Sequence, residues 1–438
     1  MFRRLQHHPR RRTAARRRLT GERVGRLAVI GLAAVLATPL AAADRGLPRL
    51  AGVEVSGLAY AMAGPDGRIA AHAEGAAELS PDGRILRPLG VDSPVRIASI
   101  SKLVLALALH RLADAGRLDL DEDAGRYLGW PLRNPAHPQV PITLRQLMRH
   151  ESSLSDRGGY AMVLGEDLKD RIGPASFSSA APGTAFDYAN LNSVVLATIV
   201  EAVTGQRFDV AMRVLVFEPL GLSACFNWSG CGPGHAARGA TLYRKSADFG
   251  ESWAPDGPWV AQVDSERPAS GCPVRTGPGA ACDLSAYVPG TNGGLLSPQG
   301  GFRVSILELA RIGQALLAKD DFLKPATRAS LFRALPVKPP GGGEETDARL
   351  MQAWSEGGLH CLSGSGEKGG DQPLAPAPMA GCGHLGEAYG LFSAIVVDPA
   401  AGTVRAWFLT GSADRPPPGT HSRFNALEEA LAQRAYHR

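Results

Sequence analysis

The segment RIASISKLVLALALHRL, residues 96–112, places Ser99 three positions before Lys102 at the start of a long apolar run. The spacing of its apolar residues predicts a helix from Ser99 to about Ala115, and Gly116 ends it. Residues three positions apart lie on the same face of a helix. The Ser99 and Lys102 side chains are therefore expected to meet.

Two interpretations of this S-x-x-K pair are open. A serine hydroxyl is a weak nucleophile at pH 7 and needs a base beside it. Lys102 accepts the Ser99 proton only if burial or a nearby cation lowers the lysine pKa. In the other interpretation the serine caps the helix and the lysine lies in solvent.

A second pair of polar residues, Tyr188 and Asn190, stands just before another predicted helix in PGTAFDYANLNSVVLATIVEAVTG. Residues two positions apart on an extended segment point the same way. A phenol can carry a proton, and an amide can hydrogen-bond both Lys102 and a substrate carbonyl. A tyrosine packed in the core is the alternative.

A third segment, His384-Leu385-Gly386, begins an apolar strand near the C-terminal end of the sequence. A strand edge offers backbone N–H groups, and a glycine lets a substrate approach them closely. The N–H of Glu387 together with that of Ser99 is expected to form an oxyanion hole. A surface histidine before a strand is the alternative.

Strands are predicted at both ends of the chain and helices between them. Pro65-Asp66-Gly67 indicates a hairpin turn, and two apolar strands flank residues 398–402. Residues 190–204 read as an amphipathic helix that Gly205 ends. SILELARIGQALLAK and SRFNALEEALAQRAY are two further helices. This order suggests one sheet built from both termini, with a helical insert between them.

Taken together, S-x-x-K, Y-x-N and H-x-G in this order resemble the serine β-lactamase and penicillin-recognising enzyme family. The sequence is most similar to the branch of class C β-lactamases, D-alanyl-D-alanine peptidases and family VIII esterases. Flanking segments such as LRQLMRHESSL and GHLGEAYGLFSAIVVDP support the resemblance. It covers most of the chain, and it is weakest over residues 225–290.

The resemblance implies an α+β fold of the β-lactamase/transpeptidase type, with an antiparallel sheet flanked by helices and an all-α domain. We expect residues 44–117 and 300–438 to form the sheet domain and residues 118–299 the mostly helical domain, with the site between them. It also implies that Ser99, Lys102 and Tyr188 are catalytic. Asn190, His384, Gly386 and Glu387 would bind substrate or the oxyanion.

Two departures from the family pattern put recognition of a carboxylate-bearing substrate in doubt. The commonest third motif of β-lactamases is Lys-Thr-Gly, whereas Leu385 has no hydroxyl and His384 is only partly charged at neutral pH. Glu151 and Ser152 stand where the family usually has Thr and Ser. We therefore predict an esterase-like serine hydrolase, with β-lactamase, D-Ala-D-Ala carboxypeptidase or D-aminopeptidase as the alternative.

The first 43 residues read as a secretory signal that is cut after Ala43. A basic tract precedes the apolar run LAVIGLAAVLATPL and then Ala41-Ala42-Ala43. An uncleaved membrane anchor is the weaker alternative, because the apolar run is short. The protein is thus expected to be periplasmic or secreted. The whole chain carries 47 basic and 42 acidic residues. Most of the basic excess lies in this leader, so the charge gives no support for nucleic-acid binding.

Six cysteines fit an exported protein and fall in three neighbouring couples. We expect local pairing, although six cysteines allow about 15 connectivities. The expected disulfides are Cys225–Cys231, Cys272–Cys282 and Cys361–Cys382. A metal site is the weaker alternative, because the sequence contains no C-x-x-C and no H-E-x-x-H.

The sequence argues against two other functional classes. A catalytically silent relative that binds cell wall or a partner protein is disfavoured by the intact Ser99, Lys102, Tyr188 and Asn190. An α/β-hydrolase is excluded because G-x-S-x-G does not occur. No cofactor and no metal are expected, and the partner is a small-molecule or peptide substrate. The oligomeric state stays open.

Overall fold

The computed structural model of the protein describes residues 46–246, 253–266, 272–341, 352–363, 370–374, 378–413 and 416–436. The predicted signal sequence, residues 1–43, lies outside the described residues. All described residues belong to one unit by the proximity of their Cα atoms. The domain boundaries at residues 117 and 300 therefore stay a prediction.

The central sheet is antiparallel and contains strands from both ends of the chain. Its N-terminal strands are β3 (Gly57–Ala63), β4 (Ile69–Leu79) and β5 (Ile85–Pro88). Its later strands are β11 (Ala334–Pro336), β12 (Ala353–Ser355), β13 (His360–Cys361), β14 (Cys382–Ala388), β15 (Leu391–Asp398) and β16 (Thr403–Thr410). The order is β11-β12-β13-β14-β15-β16-β3-β4-β5. The sheet predicted from the two termini is thus observed.

The seam between the two ends of the chain is the pairing of β3 with β16, in which Tyr60 lies opposite Trp407. The predicted hairpin turn connects β3 to β4 with Ala63 opposite Ile69. Gly67 has a φ of 76°, which a residue without a Cβ adopts at little cost.

Smaller sheets surround the central one. One contains β6 (Val95–Arg96), β10 (Phe302–Val304) and β7 (Cys225–Phe226) in that order. Two others pair β1 (Arg49–Leu50) with β2 (Val53–Glu54), and β8 (Leu242–Lys245) with β9 (Trp259–Val263).

Apolar side chains cover both faces of the central sheet. Ala59 and Phe408 pack in the larger core with Leu309 of helix α8 (Ile306–Leu317). Leu58 and Trp407 point to the opposite face and pack with Leu427 of α10 (Ala426–Tyr436). Alternate residues of one strand therefore serve two cores. This explains why the strands around residues 398–402 are apolar throughout.

Helices α1 (Ile100–Asp114) and α5 (Leu191–Thr204) form the centre of the larger core. The amphipathic pattern predicted for α5 is wrong, because every residue from Leu191 to Glu201 is buried. Its polar residues have internal partners, such as the loop residue Tyr287, which donates to Glu201 Oε2 at 2.5 Å. A satisfied polar residue on a buried helix resembles a solvent-facing one in sequence.

The remaining helices are short. They are α2 (Ala124–Leu128), α3 (Leu144–Met148), α4 (Leu168–Arg171), α6 (Phe208–Met212), α7 (Pro233–Ala237) and α9 (Pro325–Phe332). A π-helical turn, Arg213–Phe217, continues α6, and 3-10 turns span Asp156–Gly158, Pro174–Ser176 and Gly293–Leu296. No helix of the described residues is long and apolar enough to cross a membrane.

The structure joins the same three cysteine pairs as the sequence prediction. The Cα–Cα distances are 5.4 Å for Cys225–Cys231, 5.8 Å for Cys272–Cys282 and 4.0 Å for Cys361–Cys382. The third pair joins opposite residues of β13 and β14. It therefore fixes the start of the strand that carries His384-Leu385-Gly386.

Candidate active site

Ser99 stands at the N-terminus of α1 with its side chain turned away from the helix. The backbone enters the helix through Ala98, whose φ of 51° is unusual for a residue with a Cβ. Ser99 occupies the N-cap position but makes no side-chain capping hydrogen bond. The interpretation of Ser99 as a helix-capping serine is therefore wrong, and its hydroxyl is available to other groups.

The Lys102 ammonium lies among three oxygen atoms. Its Nζ donates to Ser99 Oγ at 2.9 Å, to Asn190 Oδ1 at 2.8 Å and to the Gln299 carbonyl at 3.3 Å. The side chain is buried, so the interpretation of a solvated lysine is also wrong. Burial lowers the pKa of Lys102 from 10.5 to about 7, and the Asp156 carboxylate opposes that shift. A substantial fraction of Lys102 is therefore neutral at physiological pH and can accept a proton.

Tyr188 covers the lysine and keeps its own proton. The Lys102 Nζ atom lies 4.7 Å from the centroid of the Tyr188 ring. Burial raises the pKa of Tyr188 well above its ordinary value of 10, although its hydrogen bond with Ser99 works in the opposite direction. Of the two candidate bases, Lys102 is thus the one that is deprotonated near pH 7.

His150 packs against the ring of Tyr188. The two rings stack with their centroids 4.2 Å apart. The Ala189 N–H and the Asn192 amide both lie 3.1 Å from His150 Nδ1, which accepts from them. Burial, Lys102 and His384 together keep the pKa of His150 well below 6.5. The imidazole is therefore neutral.

Asn190 is the N-cap of α5, and its side chain also turns away from its helix. Its Oδ1 accepts from Lys102, while its Nδ2 donates to Asp156 Oδ2 at 2.8 Å. Asp156 further accepts from the backbone N–H groups of Asn190 at 2.8 Å and Leu191 at 2.9 Å. Asp156 thus caps α5 in place of Asn190 and orients the Asn190 amide toward Lys102.

Sequence reasoning missed Asp156, and no local pattern marks it. Its partner Asn190 lies 34 positions further along the chain. The same holds for the Gln299 carbonyl, which is 197 positions from Lys102. Both contacts depend on the tertiary fold.

Gly386 brings strand β14 against the start of α1. A Cβ at this position would lie 2.4 Å from the Ile97 carbonyl oxygen and 3.2 Å from the Ser99 nitrogen. Only glycine allows this close approach. The pairing of β13 with β14 covers only Cys382 and Gly383. The rest of this edge therefore has no neighbouring strand among the described residues, and Glu387 on it lines the cavity beside Ser99.

His384 differs from the sequence expectation of a partly charged substrate ligand. It is buried, its ring lies 5.6 Å from the Trp354 ring, and its Nδ1 donates to the Leu385 carbonyl at 2.6 Å. Burial and the nearby Lys102 keep its pKa well below 6.5. At neutral pH it is uncharged and does not line the described cavity wall, whereas Leu385 does.

Glu151 also has a role that the sequence did not indicate. Its Oε1 pairs with Arg149 Nη2 at 2.7 Å, and its Oε2 pairs with Lys338 at 2.8 Å. Arg149 in turn donates to the Trp354 and Ser355 carbonyls of β12. Glu151 therefore fastens this loop to the sheet through Arg149.

These groups meet at the floor of a cavity of about 890 Å³. Its lining includes Ser99, Tyr188, Asn190, Gln299, Leu385, Gly386 and Glu387, together with Arg96, Tyr160, Trp228, Arg275 and Tyr389. Within the ranges that the structure describes, no group of three or more His, Cys, Asp and Glu residues is arranged to hold a metal ion.

Replacing Asp156 by asparagine is expected to impair acylation and to shift its pH dependence. Asp156 raises the pKa of Lys102, so its neutralisation lowers that pKa further. The midpoint of kcat/KM against pH should then move below about 7. The plateau should also be lower, because asparagine has one acceptor oxygen where Asp156 uses both to bind Asn190 and Leu191. Stopped-flow acylation over pH 5–9 measures both. An unchanged midpoint with a lowered plateau would assign Asp156 a purely structural role.

Comparison with known proteins places this geometry in context. The Beta-lactamase family model matches residues 50–429. The chain is 34% identical over 159 residues to esterase EstB of Burkholderia gladioli. That alignment covers 32% of this chain and 40% of the relative. The chain is 30% identical over 148 residues to the D-alanyl-D-alanine-carboxypeptidase/endopeptidase AmpH of Escherichia coli (strain K12), 32% of this chain and 38% of the relative. The alignments thus span about two fifths of these relatives.

The fold is also found among solved structures. D-amino acid amidase from Ochrobactrum anthropi SV3, complexed with D-phenylalanine, superposes with a TM-score of 0.57 and 20% identity. The match covers 82% of this chain and 88% of the amidase. This likeness shows the mixed α/β fold with its antiparallel sheet. Because the family model extends over most of the sequence, the chain belongs to the beta-lactamase family.

Proposed function

We propose that the protein is a serine hydrolase that cleaves esters through an acyl-enzyme on Ser99. The observation that carries the proposal is the 2.9 Å contact between Lys102 Nζ and Ser99 Oγ in a buried site that lowers the lysine pKa to about 7. The names of the relatives, an esterase and a carboxypeptidase/endopeptidase, are compatible with acyl transfer.

In the proposed reaction neutral Lys102 takes the Ser99 proton as Oγ bonds to the substrate carbonyl carbon. The resulting oxyanion accepts hydrogen bonds from the N–H groups of Ser99 and Glu387. When the ester C–O bond breaks, the Lys102 ammonium returns the proton to the leaving alcohol, with the Tyr188 phenol as relay. Water then attacks the acyl carbonyl carbon while Lys102 accepts its proton. As the bond between that carbon and Ser99 Oγ breaks, the Lys102 ammonium returns the proton to Oγ and the acid is released.

The apolar side chain of Leu385 favours a substrate with an uncharged leaving group. The carboxylate of a β-lactam lies on the nitrogen side of the scissile bond, where the family pattern supplies a threonine hydroxyl and a lysine. Here Leu385 supplies an apolar contact, and His384 beneath it is neutral. A lost hydrogen bond to a charged group is worth about 2 kcal/mol, or roughly thirtyfold in rate. An ester with a neutral alcohol loses nothing at this position.

The substrate preference is tested with p-nitrophenyl butyrate and nitrocefin in parallel. We expect a higher specificity constant for the ester than for nitrocefin, penicillins and cephalosporins. A Leu385→Thr variant restores the hydroxyl and should narrow the difference. Efficient nitrocefin turnover with negligible ester cleavage would contradict this proposal and identify a β-lactamase. Release of D-alanine from a D-Ala-D-Ala peptide, without ester cleavage, would instead identify a carboxypeptidase.

Export is the second part of the proposal, supported by three disulfides among the described residues. N-terminal sequencing of the protein from the periplasm or the medium is expected to begin at Asp44 or within a few residues of it. A mature protein that retains residues 1–43 would contradict the cleavage.

A further inference from the structure

Two arginines form one wall of the cavity beside the candidate nucleophile. Arg96 lies three residues before Ser99 in sequence and stacks on Tyr389, with its guanidinium carbon 5.0 Å from the ring centroid. Arg96 Nη2 and the Cα atom of Ala98 both lie 3.8 Å from the point where a Cβ of Gly300 would stand. The guanidinium is thus next to the floor of the cavity. Arg275 lines the same wall and lies near enough to lower the pKa of Arg96.

The acid at this wall is already committed to other partners. Arg303 lies opposite Arg96 in the β6–β10 pairing and binds Asp264 through Nη2 at 2.8 Å and Nε at 3.2 Å. Asp264 also accepts from the Trp228 indole at 2.9 Å. The Asp264 carboxylate therefore hydrogen-bonds to Arg303 and not to Arg96 or Arg275, although its charge also raises the pKa of Arg96.

The side chains of Arg96 and Arg275 have no hydrogen bond or ion pair with the described residues, and Arg96 Nε is buried without a hydrogen-bond partner. Burial lowers the pKa of Arg96 to about 10, so it stays charged at neutral pH. The other acids of the cavity lining include Glu266 and Glu387, which are exposed to solvent. Arg96 is half-buried and Arg275 is exposed, so an anion that enters the cavity can reach both side chains. A partly desolvated guanidinium whose only described side-chain contact is an aromatic ring is stabilised by an anionic ligand.

The direction of strand β14 tells which part of a substrate faces Arg96. Gly386 lies beside the Ser99 nitrogen, Leu385 precedes it and Tyr389 follows it by roughly 10 Å of chain. Arg96 packs on Tyr389, so it lies on the other side of Ser99 from Leu385. Since Leu385 faces the leaving group, Arg96 faces the acyl group.

We propose that Arg96, assisted by Arg275, binds a carboxylate on the acyl portion of the substrate. The proposal rests on the ester hydrolysis inferred above and narrows its substrate class to esters of dicarboxylic or similarly anionic acids. A planar guanidinium can hold such a carboxylate through two parallel hydrogen bonds. The leaving alcohol is neutral in this proposal, because Leu385 offers it only an apolar contact.

The test compares two esters that differ only in charge. In 4-nitrophenyl hydrogen adipate a free carboxylate ends the acyl chain, and in 4-nitrophenyl methyl adipate a methyl ester replaces it. After subtraction of spontaneous hydrolysis, we expect kcat/KM to be at least ~10-fold higher for the anionic ester. In Arg96→Gln this ratio should fall to about one, and in Arg275→Gln it should fall partway. The control Arg68→Gln, at an exposed hairpin position, should keep the ratio.

Binding without turnover separates this proposal from the hydrolase proposal. Calorimetry on Ser99→Ala should show binding of adipamate, the monoamide of adipic acid, but not of the uncharged diamide. The Arg96→Gln change in the same background should abolish that binding. Equal kcat/KM for both esters, or adipamate binding that survives Arg96→Gln, would overturn the anion site and leave the hydrolase intact. If neither ester is cleaved but adipamate binds, only the hydrolase proposal fails. If Arg96→Gln does not fold, an unchanged ratio in Arg275→Gln overturns the anion site.

Discussion

Ser99→Ala is expected to abolish covalent labelling by a fluorophosphonate and to reduce ester hydrolysis to background. The Ser99 hydroxyl makes no capping bond, so its removal takes the nucleophile away without unfolding α1. Intact-protein mass spectrometry should show one adduct on the parent protein and none on the variant. An unchanged melting temperature would show that the fold is retained.

Ser179→Ala is the matched control for this experiment. Ser179 is exposed, and it does not line the cavity. This variant should be labelled at the same rate as the parent protein. Labelling that survives Ser99→Ala at the parent rate would assign the nucleophile to another residue and remove the basis of the proposed function.

Lys102→Met is expected to slow acylation at least ~100-fold, the usual effect of losing a general base. Methionine keeps the length of the buried chain but accepts no proton from Ser99. In the parent protein kcat/KM should rise with pH through about 7, because the neutral amine is the active form and its fraction grows as pH passes the lysine pKa. The variant should lose this dependence near pH 7.

Lys319→Met provides the control, since Lys319 is exposed and does not line the cavity beside Ser99. It should keep both the rate and the pH profile. A Lys102→Met variant that retains the rise through pH 7 would point to a base other than Lys102. His150 and His384 are unsuited to that role, because burial, which persists in the variant, is the main cause that lowers both pKa values.

The parts of the site that could be predicted are those in which sequence neighbours meet. Ser99 and Lys102 share a helix face, so their contact follows from their spacing. The strands around residues 398–402 and the hairpin at Gly67 follow from turn residues between apolar runs. The environment of each group was not predictable in this way. His384 is neutral because Trp354 and Lys102 lie against it, and neither is near it in sequence.

Polar residues on buried helices were the main source of error. The polar positions of α5 suggested a solvent-exposed face, but Asn192 and Glu201 have partners inside the protein. The sequence gives no sign that Glu151 bridges Arg149 and Lys338. Sequence shows that such a residue is polar. Whether water or another side chain satisfies it depends on contacts that only the folded chain provides.

The pairing of β3 with β16 joins residues 57–63 to residues 404–410 and has a consequence for biosynthesis. The nascent chain exposes Ser99 early, but Gly386 and the closing strand leave the ribosome only near the end of synthesis. Until then Lys102 lies in water, where its pKa is near the ordinary 10.5 and the amine stays protonated. Non-local strand pairing is slow to form. A chain that has not yet closed this sheet therefore carries Ser99 without the neutral amine that its proposed role requires.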